Sequence, residues 1–407
     1  MTTPNRLPTG VYLLAFSLFA MGSAEFLMAG VLPSVAADLG VSLPTAGTLI
    51  TAFALGVVLG GPPFAVLSLK WPRRTALMVT QLVFAASIAA GLLADDYLIL
   101  LITRFVAGLA YAGFFAVAAV TAISLVTPDR NARASGVVVA GLSVAMVAGG
   151  PAGTLLSHFT DWTGGFWGVV GLTVVGVVGC AVGLPATASP APSLSGELRA
   201  MRSPRLWGVY AITILSTAAY MVSFNYLAAV LADVTSLPTV WIPAVLALFG
   251  IGAFVGLSLG GRISDRLPHH ALLGGVLGIC LFSVLLAVFA ASVWVVVPLV
   301  FLLGIAAFVL NPALYGRVFT IAGSAPTLAG ATTVSAFQLG ISLTPLFAAG
   351  VLNLGASVTA VSWIGAGLAL LAVPLVLVDG YRGRRTTDGA HGAVSYRQPA
   401  VTAEATE

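Results

Sequence analysis

The chain has 407 residues, of which 59% are hydrophobic and only 7% charged, and its mean hydropathy is +1.07. This composition lies outside the range of soluble globular proteins and predicts a polytopic membrane protein. The net charge of +4 comes from basic residues in short loops, so it does not indicate a nucleic-acid-binding surface.

Twelve apolar segments are long enough to cross a bilayer, for which a helix needs about 20 residues. The predicted fold class is therefore all-α. The first segment is too long, and too poor in a small-residue cleavage site, to be a cleaved signal peptide. The segments are predicted at 11–33, 45–67, 75–93, 98–120, 134–157, 165–184, 207–231, 242–260, 271–291, 294–315, 328–352 and 357–378.

The basic residues determine the predicted orientation. With a cytoplasmic amino terminus, sixteen of the seventeen lysines and arginines fall on the cytoplasmic side, and the remaining one, Arg104, lies inside a helix. Because positively charged loops stay in the cytoplasm, this bias places both termini there and the protein in the inner, or plasma, membrane.

The first predicted helix contains one carboxylate, Glu25, in an otherwise apolar stretch. An acid at the bilayer centre costs about 2.5 to 3.5 kcal/mol on insertion scales, so such a residue is paired, faces water or has a function. The fourth predicted helix contains Arg104. Counted along the helices from Pro33 and Tyr97, both charges lie roughly 10 to 12 Å below the outer surface.

Two interpretations of Glu25 and Arg104 stay open. They could form a permanent structural ion pair, because charges inside a membrane usually pair. They could instead form a proton-coupling site. Burial favours the neutral acid whereas a nearby guanidinium favours the carboxylate, so a small change in geometry could bind or release a proton.

The chain also contains an internal repeat. A shift of 196 residues places Gly56 on Gly252 and Gly60 on Gly256, which predicts two six-helix bundles. Small residues at four-residue spacing let helices approach closely, so packing alone could explain these glycines. The predicted units are an N-terminal bundle at 1–184, a cytoplasmic linker rich in Pro, Ser and Ala at 185–206, a C-terminal bundle at 207–378 and a disordered cytoplasmic tail at 379–407.

Four motifs resemble those of the major facilitator superfamily and stand in the corresponding helices and loops. Residues 261–266 (GRISDR) are similar to its loop signature, and residues 100–108 (LLITRFVAG) to its helix 4 motif. Residues 149–153 (GGPAG) resemble the signature of its drug:proton antiporters. The first helix, at 22–33, resembles the twelve-helix branch that holds actinobacterial chloramphenicol exporters and sugar-efflux permeases.

The resemblance implies two pseudo-symmetric bundles that alternate access around a site near the membrane midplane. It implies a proton as the coupling ion and no other cofactor. We also expect a monomer without enzymatic activity, whose partners are a small-molecule substrate and the lipid bilayer, and no nucleic acid. The first-half loop departs from the pattern, because Leu69 replaces the aspartate that helps to latch the cytoplasmic gate in this superfamily. The implied gating residues are Gly61, Arg73, Arg74, Gly149, Gly150, Pro151, Gly153, Gly261, Asp265 and Arg266.

In this superfamily, helices 1, 4, 7 and 10 line the central cavity. Here they offer aromatic side chains, a few amides and no further charge, which suits a neutral, partly aromatic, hydroxylated solute. Ordinary helix packing is the alternative role for each residue. Gln81 and Gln338, in helices 3 and 11, are weaker candidates. The cavity candidates are Met21, Met28, Tyr111, Phe114, Tyr220, Phe224, Asn225, Tyr226 and Asn311.

We therefore expect a proton-coupled exporter of a small neutral organic compound, with a chloramphenicol-like antibiotic as the first candidate. An arabinose-like sugar-efflux permease is an alternative in the same class. A non-transporting membrane sensor or scaffold is an alternative of another class, but it would need no buried carboxylate.

Overall fold

The computed structural model describes residues 7–67, 71–94, 96–127, 130–185, 201–264, 266–322 and 326–395. Within these ranges, twelve helices are long and apolar enough to cross a membrane, as predicted. In chain order they are α1 Thr9–Asp38, α2 Leu43–Leu67, α3 Arg73–Leu93, α4 Tyr97–Ser124, α5 Gly136–Phe159, α6 Trp162–Gly183, α7 Pro204–Asp233, α8 Thr239–Ser264, α9 Pro268–Val288, α10 Val293–Ala322, α11 Pro326–Leu352 and α12 Ala360–Ser395.

The last helix differs most from its prediction. We expected it to end at 378, but α12 continues to Ser395, so the helix includes the first part of the segment predicted as a disordered tail. The rest of that segment, 396–407, lies outside the described residues, as does most of the predicted linker, 186–200.

The sequence repeat is also a repeat of helix packing. A Cβ added to Gly56 of α2 would lie 2.9 Å from the backbone N of Leu109 in α4. A Cβ added to Gly252 of α8 would lie 3.2 Å from the backbone N of Ile305 in α10. Both members of the second pair follow the first by 196 residues. Gly56 and Gly252 therefore serve close helix packing, which small residues permit.

Two helix pairs form close contacts between the bundles. α2 runs along α11, where the Thr51 hydroxyl donates to the Ser342 carbonyl at 2.9 Å. α5 packs on α8, where a Cβ on Gly250 would lie 2.7 Å from the Cα of Val147.

Three of the helices are interrupted. α5 contains a π-helical segment at Ala145–Gly149, α7 breaks at Tyr226, and α10 breaks at Leu310. Pro312 follows the break in α10, and proline cannot donate its backbone nitrogen to a helix. Irregular backbone inside a membrane is tolerated where it is packed in protein or lines a cavity, so the breaks point to the interior between the bundles.

Candidate functional site

Glu25 lies near the middle of α1, and its side chain contacts the other bundle. Its neighbours from Ala20 to Ala24 and from Phe26 to Leu32 are buried, whereas Glu25 retains some accessible surface. Gln338 of α11 donates from Nε2 to Oε1 of Glu25 at 3.2 Å and to Oε2 at 3.4 Å. Glu25 therefore keeps some accessible surface, and its carboxylate accepts hydrogen bonds across the bundle interface.

Arg104 of α4 is almost completely buried, with 2% of its surface exposed. Its guanidinium carbon lies 4.6 Å from the ring centre of Phe53 and 5.7 Å from that of Phe166, within the range of cation–π attraction. Within the described ranges, its Nε and Nη1 atoms have no hydrogen-bond partner.

The structure does not join Arg104 to Glu25 directly. Among the described residues, no hydrogen bond or ion pair links the two side chains, although their charges are close enough to interact. The direct ion pair is thus absent from this conformation, and the carboxylate instead accepts hydrogen bonds from Gln338.

Two tyrosines lie near the carboxylate, and a third lies near both of them. Tyr111 of α4 and Tyr220 of α7 lie within electrostatic range of Glu25, and both lie within range of Tyr315 of α10. Tyr111 and Tyr220 are among the predicted cavity residues, whereas Tyr315 is not. The sequence contains a feature that predicts its position: Tyr315 follows Asn311 by four residues and therefore lies on the same helix face.

An aromatic cluster lies beside these tyrosines and extends across the interface. Phe224 stacks on Phe249 with ring centres 4.4 Å apart, and Tyr220 lies 5.7 Å from Phe308. Phe26 of α1 meets the edge of Phe224 at 6.4 Å. Tyr220 and Phe224 were cavity candidates, whereas Phe249 and Phe308 were not predicted. Apart from the partly buried Phe308, these rings are buried, so the cluster is an apolar contact in this conformation.

Several predicted cavity residues serve packing in this conformation. Met28 lines a small void inside the N-terminal bundle, together with Arg104. The Asn225 amide donates to the Thr344 hydroxyl at 2.8 Å, and the Tyr226 ring packs against the space left by Gly47. The structure therefore places these side chains in filled contacts.

The remaining candidates are distributed over both bundles. Met21 and Phe114 are fully buried, and Asn311 begins the second part of α10 with its Oδ1 unpaired among the described residues. Gln81 donates to the Leu77 carbonyl at 3.1 Å and to the Cys180 sulfur at 3.5 Å. Gln81 thus lies inside the N-terminal bundle, whereas Gln338, ranked equally from sequence, contacts Glu25.

The glycine motif of α5 packs on the turn of α1 that carries Glu25. A Cβ on Gly150 would lie 2.6 Å from the Phe26 Cβ, and one on Gly153 would lie 3.0 Å from Leu27 Cδ1. The motif therefore lets α5 pack directly against the turn of α1 that carries Glu25.

The π-helical segment of α5 ends within the same motif. Gly149 is its last residue and faces the Ser23 hydroxyl so closely that a side chain would collide with it. Pro151 follows and lacks a backbone donor, which weakens the regular α-helical pattern there. π-helical turns inside α-helices frequently occur at functional sites.

Only some of the predicted gating residues lie among the residues that the structure describes. Gly61 of α2 faces α11, where a Cβ would lie 3.3 Å from the Ser335 hydroxyl. Arg73 donates to the Val120 carbonyl at the end of α4, at 3.4 Å. Arg74, Gly261 and Arg266 lie at or next to helix ends. Leu69 and Asp265 lie outside the described residues, so the latch stays a prediction.

Comparisons with known proteins agree with the motifs. Residues 14–345 match the Major Facilitator Superfamily profile. The chain is 39% identical over 387 residues to the chloramphenicol resistance protein of Streptomyces lividans, covering 94% of this chain and 98% of that protein. It is 27% identical over 366 residues to the "Probable sugar efflux transporter" of Helicobacter pylori, covering 89% and 93%. The crystal structure of the nucleoside transporter NupG has the same fold, with a TM-score of 0.75 at 12% identity over 91% of this chain and 99% of that one.

Proposed function

Because the chain belongs to the major facilitator superfamily and is a multi-pass membrane transporter rather than an enzyme, we propose that it exports a small neutral compound in exchange for protons. The two bundles alternate access around Glu25, both termini lie in the cytoplasm, and the protein works as a monomer in the plasma membrane. The proton is the coupling ion.

The observation that carries this proposal is the position of Glu25. Glu25 keeps some accessible surface, and its carboxylate is hydrogen-bonded across the interface between two bundles. An acid in this position can bind or release a proton, and its bundle contacts change when its charge changes. A proton-motive force of roughly 150 mV supplies about 3.5 kcal/mol per proton. At one proton per solute, this sustains a gradient of a few hundred-fold, which is enough for antibiotic resistance.

The surroundings of Glu25 support a neutral, partly aromatic substrate. Apart from Glu25 and Arg104, the side chains named around the site are aromatic or uncharged, and Tyr220, Phe224 and Phe249 pack together as a buried aromatic cluster. A site of this kind binds a mainly apolar solute that carries a few hydrogen-bonding groups. The similarity to a chloramphenicol resistance protein favours a phenicol antibiotic as that solute.

The test is drug susceptibility in a sensitive strain that expresses the protein. We expect increased tolerance to chloramphenicol and little change toward a cationic dye such as ethidium, which would require a further acid in the cavity. Glu25→Gln, present at the same level in the membrane, should remove the tolerance. Dye tolerance without chloramphenicol tolerance would contradict the proposed substrate.

Sugar efflux is the second candidate, because one relative carries that name. Loss of a preloaded pentose from expressing cells, without antibiotic tolerance, would favour it. The family and its relatives favour transport over the sensor or scaffold alternative.

A further inference from the structure

The hydrogen bond between Gln338 and Glu25 joins α11 of one bundle to α1 of the other. We infer that Gln338 is a positioning residue for proton coupling, through which the C-terminal bundle responds to the charge on Glu25. This inference rests on the proposed function. It adds the residue through which a change in the charge of Glu25 reaches the C-terminal bundle.

The chemistry of an amide explains the choice of glutamine. Its nitrogen supplies two donors and its oxygen accepts. In the structure Nε2 donates toward both oxygens of Glu25, whereas Oε1 of Gln338 has no partner within the described ranges. Because hydrogen bonds to an ionised acceptor are stronger than neutral ones, this arrangement favours the carboxylate.

Protonation must change this contact. A protonated Glu25 carries an O–H group that needs an acceptor, and the unpartnered Oε1 of Gln338 is an acceptor on the neighbouring side chain. The O–H can then donate to Oε1 while Nε2 keeps its bond to the other acid oxygen, so the amide moves from a position shared by both oxygens to a side-by-side pair with the acid. Each proton that binds therefore changes a contact at the bundle interface.

The neighbours of Gln338 transmit such a change along α11. Gln338 is only 6% exposed, so water cannot readily replace the contact. Ser335 and Ser342 lie three residues before and four residues after it, on the same face of the helix. The backbone carbonyl of Ser342 accepts from the Thr51 hydroxyl at 2.9 Å, and the Ser335 hydroxyl donates to the Val58 carbonyl at 3.4 Å. Both partners belong to α2, so this face of α11 is held to the other bundle on either side of Gln338.

Other groups that carry or titrate charge also face Glu25. They are Arg104 and Tyr111 from α4 and Tyr220 from α7. Arg104 acts on the carboxylate through its charge, without a direct hydrogen bond in this conformation. Gln338 makes the hydrogen bond, and its removal should therefore change proton binding while leaving these three groups in place.

The experiment uses the full-length protein in proteoliposomes with chloramphenicol as the probe. Proton movement on drug addition is recorded as a function of pH for the wild type, Gln338→Leu and Gln338→Asn. The asparagine variant keeps the amide but is one CH₂ shorter, which provides a second test if the leucine variant folds poorly. Gln81→Leu is the matched control, because it removes another buried amide that makes no contact with Glu25.

Loss of the hydrogen bond to Glu25, by removal of the amide in Gln338→Leu and by its shorter reach in Gln338→Asn, should move the half-maximal pH upward by about one unit, because a hydrogen bond to a charged group is worth about 1.5 kcal/mol or more. Gln81→Leu should leave the half-maximal pH unchanged. An unchanged curve in both Gln338 variants, with Glu25→Gln inactive, would overturn this inference and leave the proposed function intact. An absence of drug-induced proton movement in the wild type would overturn both.

Discussion

Gly150 of α5 lies directly against Phe26 of α1, where a Cβ at position 150 would stand 2.6 Å from the Phe26 Cβ. Phe26 follows Glu25 in the chain, so the contact supports the turn that carries the carboxylate. The glycine motif at 149–153 thus has a local physical role in this protein, which is to bring α5 close to α1 beside Glu25.

The first prediction concerns this contact. Gly150→Val should separate α5 from α1 and abolish drug tolerance, since forcing extra atoms into a packed interior costs about 1 to 3 kcal/mol. Gly136→Val, on the same helix, is the control, because a Cβ there would meet no atom within 4 Å. Drug tolerance is measured at matched membrane levels of both variants. Equal tolerance in both would show that the close packing is not needed for transport.

The second prediction concerns the predicted outer end of the interface. The Tyr226 hydroxyl of α7 lies where a side chain on Gly47 of α2 would have to go. Gly47→Val should therefore disfavour the conformation in which α2 and α7 touch at this point by about 1 to 3 kcal/mol, a population shift of roughly 5- to 150-fold. Gly171→Val, on α6, is the control, because position 171 is open.

A single cysteine introduced near Tyr226 reports this shift through its rate of labelling from outside the cell. We expect faster labelling with Gly47→Val and no change with Gly171→Val. Labelling at the wild-type rate in both variants would show that Gly47 does not control closure.

The helices and the repeat could be predicted from sequence because both depend on local patterns. The length of each apolar segment predicts a membrane-spanning helix. Glycines that recur after 196 residues, such as Gly56 and Gly252, mark equivalent helix contacts in the two bundles. Glu25 was also predictable, because an isolated carboxylate in an apolar stretch has few explanations.

The partner of Glu25 could not be predicted in the same way. Counting residues gives the depth of Arg104 in the membrane, but it does not give the direction in which the side chain leaves its helix. The contact with Gln338 depends on how α1 meets α11 across two bundles. The sequence separation of 313 residues gives no signal for that contact.

The third prediction separates charge from shape at Arg104. If Arg104 acts on Glu25 through its charge, Arg104→Lys should retain drug-induced proton movement, although it loses the planar stacking on Phe53. Arg104→Gln should reduce that movement by at least about tenfold, equivalent to about 1.4 kcal/mol. Similar losses in both variants would indicate that stacking, rather than charge, is the essential property.

The fourth prediction concerns the loop before α6. Asp161 caps this helix by accepting from the backbone N of Thr163 at 2.8 Å and of Gly164 at 3.1 Å. The Thr163 hydroxyl and these amides hold the pKa of Asp161 below its usual value, despite a small opposing effect of burial. Because its pKa is lower in the folded protein, the ionised Asp161 stabilises the helix at pH values above the ordinary titration range of an aspartate. This stabilisation is lost as the pH falls through the pKa of Asp161 in the folded protein.

Hydrogen exchange in the first turn of α6 measures this cap. Asp161→Ala should exchange roughly fivefold faster at neutral pH, since N-cap side chains stabilise helix starts. Asp161→Asn should keep protection that no longer depends on acid, because an asparagine caps without titrating. Acid-dependent protection in the asparagine variant would assign the effect to another group.

The account depends most on the claim that Glu25 carries the coupled proton. The direct measurement is proton movement on chloramphenicol addition in proteoliposomes that hold either the wild type or Glu25→Gln, with drug binding recorded in parallel. We expect the wild type to move protons when drug is added. Glu25→Gln should bind drug, but it should neither move protons nor accumulate drug when a pH gradient is imposed. Proton-driven accumulation by Glu25→Gln at the wild-type rate would contradict the central claim.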